Sequence, residues 1–186
     1  MTPTLVRTPS TQTTKNMAVG IAAAVGLLAS ILAANFVTTR YGVVPVGFGL
    51  MATAGTYFAG LTFVLRDSLQ DAVGKSWTLG MIAAGAALSF LLADPFIALA
   101  SAVAFLLAEV ADLAVYTPLR KRGYLRAAIA SNVVGSFVDT IAFLTIAGFP
   151  IQEALAGQMI GKLLVTAATV VLVVAFRAWR KKRAAQ

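Results

Sequence analysis

The sequence has neither cysteine nor histidine among its 186 residues. This excludes thiol nucleophiles, imidazole bases and disulfides, together with nearly every zinc, haem or iron–sulfur site. It also contains no H-E-x-x-H, G-x-S-x-G or P-loop motif, so no metalloprotease, α/β-hydrolase or self-contained ATPase is indicated. An enzyme would have to work with carboxylates, lysine or hydroxyl groups alone. We therefore expect no enzymatic activity, no metal and no cofactor.

Charged residues are also scarce, at 12% of the chain against 59% apolar residues, and the mean hydropathy is +0.86. Soluble domains carry about 25% charged residues. The apolar residues form six stretches of roughly 17 to 23 residues, each long enough to cross a hydrocarbon core as a helix. The sequence predicts an all-α integral membrane protein, a bundle of six transmembrane helices at residues 17–38, 43–65, 77–93, 95–116, 127–149 and 155–176.

The distribution of basic residues predicts the orientation in the membrane. Thirteen of the fifteen Lys and Arg flank the spans on one side, Arg40 is alone on the other side, and Lys162 lies inside the sixth span. By the positive-inside rule both termini are cytoplasmic, in a cell inner membrane. Residues 1–16 are predicted to be a flexible tail, 17–176 the six-helix transmembrane domain, and 177–186 a basic tail at the lipid surface. Since topology explains the charge, no nucleic-acid partner is expected.

Ionisable residues inside the predicted spans are the main functional signal. Each costs about 2.5–3.5 kcal/mol near the centre of a bilayer, so it needs a partner or a role. On each of the last three spans the polar residues are spaced three, four or seven apart and so share one helix face. We expect these faces to meet one another or a wet cavity between helices 4, 5 and 6. The residues are Glu109 and Asp112 on the fourth span, Asn132 and Asp139 on the fifth, and Gln158 and Lys162 on the sixth.

A structural role for these residues is the competing interpretation. Asp139 and Lys162 would form one ion pair, while Asn132 and Gln158 would join helices by hydrogen bonds. Asn35, at the end of the first span, is a further residue that would face the cavity.

Three further features lie at the ends and on the faces of the predicted spans. Asp67 and Asp71 follow the second span and either line the site or pair with nearby basic residues in solvent. Asp94 before a proline is typical of a helix start, as is an acid in a first turn. Small residues recur every four positions on the first span and predict a close-packing face within the bundle. These residues are Ala22, Gly26, Ser30 and Ala34.

Carboxylates, carboxamides and a lysine in an apolar bundle suit a small, planar, polar and largely uncharged ligand. A carboxylate accepts two parallel N–H bonds from the edge of a guanine-type base, and an amide or lysine donates to a ring carbonyl. An aromatic side chain such as Phe105, Tyr116, Phe137 or Phe143 covers the flat face. A heterocycle is the expected ligand class.

Four segments carry a family resemblance, in order: LRDSLQDAVGK, EVADLAVYTPLRKR, SNVVGSFVDTIAFLTIA and GQMIGKLL. Together they resemble the queuosine precursor transporter family, also called the vitamin uptake transporter (VUT) family. The resemblance implies a fold like that of the membrane-embedded binding subunits (S-components) of energy-coupling factor transporters, and uptake of 7-deazaguanines such as preQ0 and preQ1. It also implies a set of site residues: Asp67, Asp71, Asp112, Asn132, Asp139, Gln158 and Lys162.

The sequence thus predicts an importer of a small heterocycle that works by alternating access. One alternative is a substrate-binding subunit that depends on a separate ATPase module, docked on the small-residue face of the first span. Another is a structural membrane protein without a ligand. A homo-oligomer is also compatible with the sequence.

Overall fold

A computed structural model describes residues 11–184, and these form six α-helices and one β-hairpin. A 3₁₀ turn at Arg120–Arg122 separates the fourth and fifth helices. The elements are α1 (Thr11–Tyr41), β1 (Val43–Gly47), β2 (Leu50–Thr53), α2 (Thr56–Val73), α3 (Lys75–Leu92), α4 (Pro95–Leu119), α5 (Tyr124–Ile146) and α6 (Ile151–Ala184).

The helices pack as a bundle with an apolar core, as the sequence predicts. Leu27 of α1, Leu69 of α2, Ile82 of α3 and Phe105 of α4 are buried in one cluster. Large apolar side chains also cover the outer faces, where water would disfavour them and lipid would not. Within the described residues, four helical segments are long and apolar enough to span a membrane: Met17–Tyr41, Lys75–Leu92, Pro95–Leu119 and Ile129–Ile146. They indicate a multi-pass membrane protein.

The prediction of a helix over residues 43–65 is wrong in its first half. Val43–Gly47 and Leu50–Thr53 pair as antiparallel strands, and α2 begins only at Thr56. Valine, proline and glycine disfavour a helix here. Phe48 and Gly49 have φ of 53° and 73°, and positive φ at both central residues is characteristic of a type I′ hairpin turn. The apolar run therefore reflects a packed hairpin rather than the start of a span.

Helix α2 also ends later than predicted, which corrects the interpretation of Arg66. The helix continues to Val73, so Arg66 lies within it and is buried, although the sequence placed it among the cytoplasmic loop charges. The asymmetry of the other basic residues and the orientation of the termini remain predictions.

Parts of both predicted tails are helical. Helix α1 begins at Thr11, so residues 11–16 are helical, and residues 1–10 lie outside the described part of the chain. Helix α6 continues to Ala184 and includes most of the predicted basic tail.

Local signals at two helices are confirmed. Asp94 Oδ1 accepts hydrogen bonds from the backbone N–H of Phe96 at 2.8 Å and of Ile97 at 3.3 Å, which caps the start of α4. On α1, the Ser30 hydroxyl lies 2.9 Å from the Thr62 hydroxyl of α2. The part of the small-residue face at Gly26, Ser30 and Ala34 therefore packs inside the bundle, against α2, whereas Ala22 is exposed.

Helix α6 lies very close to the hairpin and to α2 because it has glycine where they meet. A Cβ on Gly157 would overlap the carbonyl oxygen of Met51 in β2. A Cβ on Gly60 of α2 would lie 3.0 Å from the Cα of Lys162. This close approach holds the polar face of α6, including Gln158 and Lys162, toward the centre of the molecule.

Candidate functional site

A cavity lies at the centre of the bundle, bounded by β2 and by all six helices. The centre of a water molecule can occupy about 70 Å³ within it. One buried water needs only about 10–15 Å³ by this measure, so there is room for several waters or one small ring. Its polar wall includes Asn35, Thr53, Asp139, Gln158 and Lys162.

A buried ion pair joins α5 and α6 at this wall. The Nζ of Lys162 lies 2.5 Å from Asp139 Oδ2 and donates a second hydrogen bond to the Thr140 hydroxyl at 2.8 Å. Lys162 is only 3% exposed. The predicted pair of Asp139 and Lys162 is therefore confirmed, and each charge compensates the other within the low-dielectric interior.

Two carboxamides complete the polar wall from opposite sides. Gln158 Nε2 donates to the Thr53 hydroxyl of β2 at 2.6 Å, which ties α6 to the hairpin. Asn35 Nδ2 donates to the Ser89 hydroxyl at 2.9 Å, which ties α1 to α3. Both amides are almost fully buried, and both line the cavity.

Aromatic rings supply the apolar side of the cavity. Phe63 of α2 and Phe105 of α4 stack with their centroids 6.4 Å apart and their planes 26° apart. Lys162 Nζ lies 5.9 Å from the Phe63 centroid. Phe143 of α5 lines the cavity as well. A flat ligand in this space would meet aromatic surface as well as polar groups.

A second polar cluster borders the aromatic pair but does not line the cavity. Arg66 Nη2 is 2.6 Å from Glu109 Oε1, and Arg66 Nη1 is 3.0 Å from Asp67 Oδ1. The guanidinium carbon lies 5.9 Å from the centroids of both Phe63 and Phe105. Buried Arg66 and Glu109 thus join α2 to α4, with Asp67 half-exposed beside them.

The structure divides the predicted site residues into separate groups. Asn35, Asp139, Gln158 and Lys162 meet at the cavity, whereas Glu109 and Asp67 belong to the Arg66 cluster. Asp112 lies beside Gly135 where α4 meets α5, and Asp71 and Asn132 are exposed. The expectation of one polar site between helices 4, 5 and 6 is therefore corrected. Ligand-binding roles for these residues remain predictions.

Helix geometry explains the division. Asn132 and Asp139 share a face of α5 but are seven residues apart, which is about 10 Å along the axis. On α4, the cavity meets Phe105, and Glu109 lies one turn further on. Periodicity indicates which face a residue occupies, and does not indicate which neighbour covers that face.

Sequence reasoning missed four residues of the site. Thr53 lies in the hairpin that was taken for a helix, and Phe63 was one apolar residue among many. Ser89 had no charge to single it out. Thr140 had a signal, since it directly follows Asp139 in the fifth-span motif.

Comparison with known proteins gives one match. Searches of curated proteins and of solved structures matched nothing. Residues 90–178, a little under half of the chain, match the family model Vut_1, described as "putative vitamin uptake transporter". The matched segment contains α4, α5 and the cavity-lining part of α6, with Asp139, Gln158 and Lys162. Over this segment the chain is similar to the vitamin uptake transporter family.

Proposed function

We propose that this protein imports a small, planar, polar heterocycle across the inner membrane, with a 7-deazaguanine such as preQ0 or preQ1 as the substrate. The observation that carries the proposal is the central cavity, where a buried ion pair and two carboxamides face aromatic rings. Its similarity to a transporter family supports import over a purely structural role. Burying polar side chains within membrane-spanning segments costs free energy, so such a wall indicates a functional role.

In this proposal the ligand lies against Phe63 or Phe105 and forms hydrogen bonds with Asp139, Gln158 and Asn35. Lys162 holds Asp139 in place. Transport follows alternating access, in which the cavity opens first to the outside and then to the cytoplasm, with both termini cytoplasmic.

The first test uses cells that can neither synthesise nor take up 7-deazaguanines. Expression of this chain should allow supplied preQ1 to appear as queuosine in their tRNA. Asp139→Asn and Lys162→Ala should abolish this uptake, whereas Glu153→Gln should retain it, because Glu153 is exposed in the first turn of α6. Uptake by both site variants, with normal amounts in the membrane, would show that the proposed site is wrong.

A second test separates a stand-alone importer from a subunit that needs an ATPase. Proteoliposomes containing only this chain should accumulate labelled preQ1. Binding of preQ1 without accumulation would favour the binding subunit instead, with energy supplied by a separate ATPase module.

A further inference from the structure

The hydrogen bonds around Asn35 determine which end of its amide faces the cavity. Its Nδ2 contacts the Ser89 hydroxyl at 2.9 Å, and that hydroxyl donates its only proton to the Gly85 carbonyl at 2.9 Å. Ser89 can therefore only accept from Asn35, which fixes the amide nitrogen toward Ser89. The carbonyl oxygen of Asn35 and the second N–H of its amide are left for the cavity.

Gln158 is oriented in the same way. Its Nε2 lies 2.6 Å from the Thr53 hydroxyl. Thr56 donates its proton to the Thr53 carbonyl at 2.7 Å, so the Thr56 oxygen is free to accept the Thr53 hydroxyl proton at 3.3 Å. With the Thr53 hydroxyl proton directed to Thr56, Gln158 Nε2 donates to Thr53, and the carbonyl oxygen and second N–H of the Gln158 amide are left for the cavity.

The charges of the cavity wall are already compensated. Asp139 Oδ2 accepts the hydrogen bond of Lys162, and the Lys162 ammonium also donates to Thr140. Asp139 Oδ1 accepts no hydrogen bond from the described residues. Among these residues, the nearby Arg66 is paired with Glu109 and does not line the cavity. No cationic group is left over on the described cavity wall.

We infer that the cavity selects a neutral or cationic ligand that carries several N–H donors, and that it rejects ligands bearing a carboxylate. Three acceptor oxygens, on Asn35, Gln158 and Asp139, need donors from the ligand, while the remaining N–H of each amide and of Lys162 suit a ring carbonyl or a ring nitrogen. A carboxylate would bring further acceptors and a charge without a counter-ion into a buried space, which is strongly unfavourable. This inference rests on the proposed function and narrows its substrate class: vitamins that are carboxylate anions are excluded.

The test measures binding to the full-length protein, purified in detergent, by isothermal titration calorimetry with two matched pairs of probes. The first pair is 7-deazaguanine and 7-deazahypoxanthine, which differ by one amino group. The second is 6-hydroxymethylpterin and 6-carboxypterin, which share a ring and differ in charge. We expect 7-deazaguanine and 6-hydroxymethylpterin each to bind about tenfold more tightly or better than its partner. 7-Deazahypoxanthine leaves a buried acceptor unpaired, and 6-carboxypterin brings a buried charge without a counter-ion.

A variant that removes the charge of Asp139 tests the same inference independently. Asp139→Asn removes the counter-ion of Lys162, so the preference for 6-hydroxymethylpterin over 6-carboxypterin should fall about tenfold. Glu153→Gln makes the same chemical change on an exposed position of α6 and should leave the preference unchanged. The wild-type comparison of probes stands even where the Asp139 variant fails to fold.

Each outcome separates this inference from the proposed function. Equal or tighter binding of 6-carboxypterin by the wild type would overturn the rejection of carboxylates, and equal binding of the two deazapurines would overturn donor selection. Either result leaves import of a heterocycle intact. Binding of biotin or nicotinate in place of the neutral probes would overturn the rejection of carboxylates in the same way. No binding of any of the four probes, together with no uptake of preQ1, would overturn both.

Discussion

Replacing Lys162 by methionine tests whether the buried ion pair holds the cavity wall together. The change keeps the length and apolar stem of the side chain but removes the donor to Asp139 at 2.5 Å and to Thr140 at 2.8 Å. Lys162 is 3% exposed and the Asp139 side chain 13% exposed, so water replaces these bonds poorly. Removing one partner of such a pair costs about 3–5 kcal/mol. We expect a loss of that size in the free energy of unfolding.

A double-mutant cycle isolates the contribution of the pair itself. Asp139→Leu alone strands the lysine and should cost a similar amount, whereas the double variant, Lys162→Met with Asp139→Leu, should lie within about 2 kcal/mol of the wild type, since an apolar pair replaces an ionic one. Reversible unfolding in mixed micelles measures all four proteins. A loss below about 1 kcal/mol in Lys162→Met, or additive losses in the double variant, would refute the coupling we infer.

Three further predictions concern other contacts. Gly157→Ala should destabilise the fold by about 2 kcal/mol or more, because the new Cβ meets the backbone of β2. Gly80→Ala is the control: a Cβ there meets open space, so the change should stabilise α3 by about 0.5–1 kcal/mol. Thermal unfolding compares the two variants. Phe48→Asn should raise the unfolding temperature, since asparagine tolerates φ of 53° better in this turn, and a lower temperature would contradict this. Arg66→Met should cost about 3–5 kcal/mol, and combining it with Glu109→Leu should recover most of the loss in the same assay.

Local features of the fold were predictable from short stretches of sequence. The start of α4 at Pro95 and its cap by Asp94 depend on neighbouring residues, and the structure has both. The polar face of α6 follows from a spacing of four residues between Gln158 and Lys162, and both side chains line the cavity. The pairing of Lys162 with Asp139 was predictable for a different reason: a buried lysine needs a carboxylate, and few are within reach.

Features that depend on distant segments were not predictable. The hairpin at residues 43–53 has an apolar composition that also suits a helix; its valines, proline and glycine disfavour a helix, and its strands pack against Gly157 of the distant α6. Arg66 would be a loop residue if the second helix ended at residue 65, as the sequence predicts. Because α2 continues to Val73, Arg66 is instead a buried partner of Glu109. Asn132 has the right residue type and the right helix face, yet no neighbouring element covers it in the described chain.

The class of protein, the helical bundle and the faces on which polar residues lie are predictable from hydropathy and helical period, because both act over a few turns of one chain segment. Which polar residues meet depends on packing between distant segments. Packing brings Asn35, Gln158 and the ion pair to one cavity, and it directs one N–H of each amide toward Ser89 or Thr53, which leaves the amide oxygens on the side of a ligand. The physical reason is that a hydrogen bond has a direction and a range of about 3 Å, and only packing between distant segments sets both.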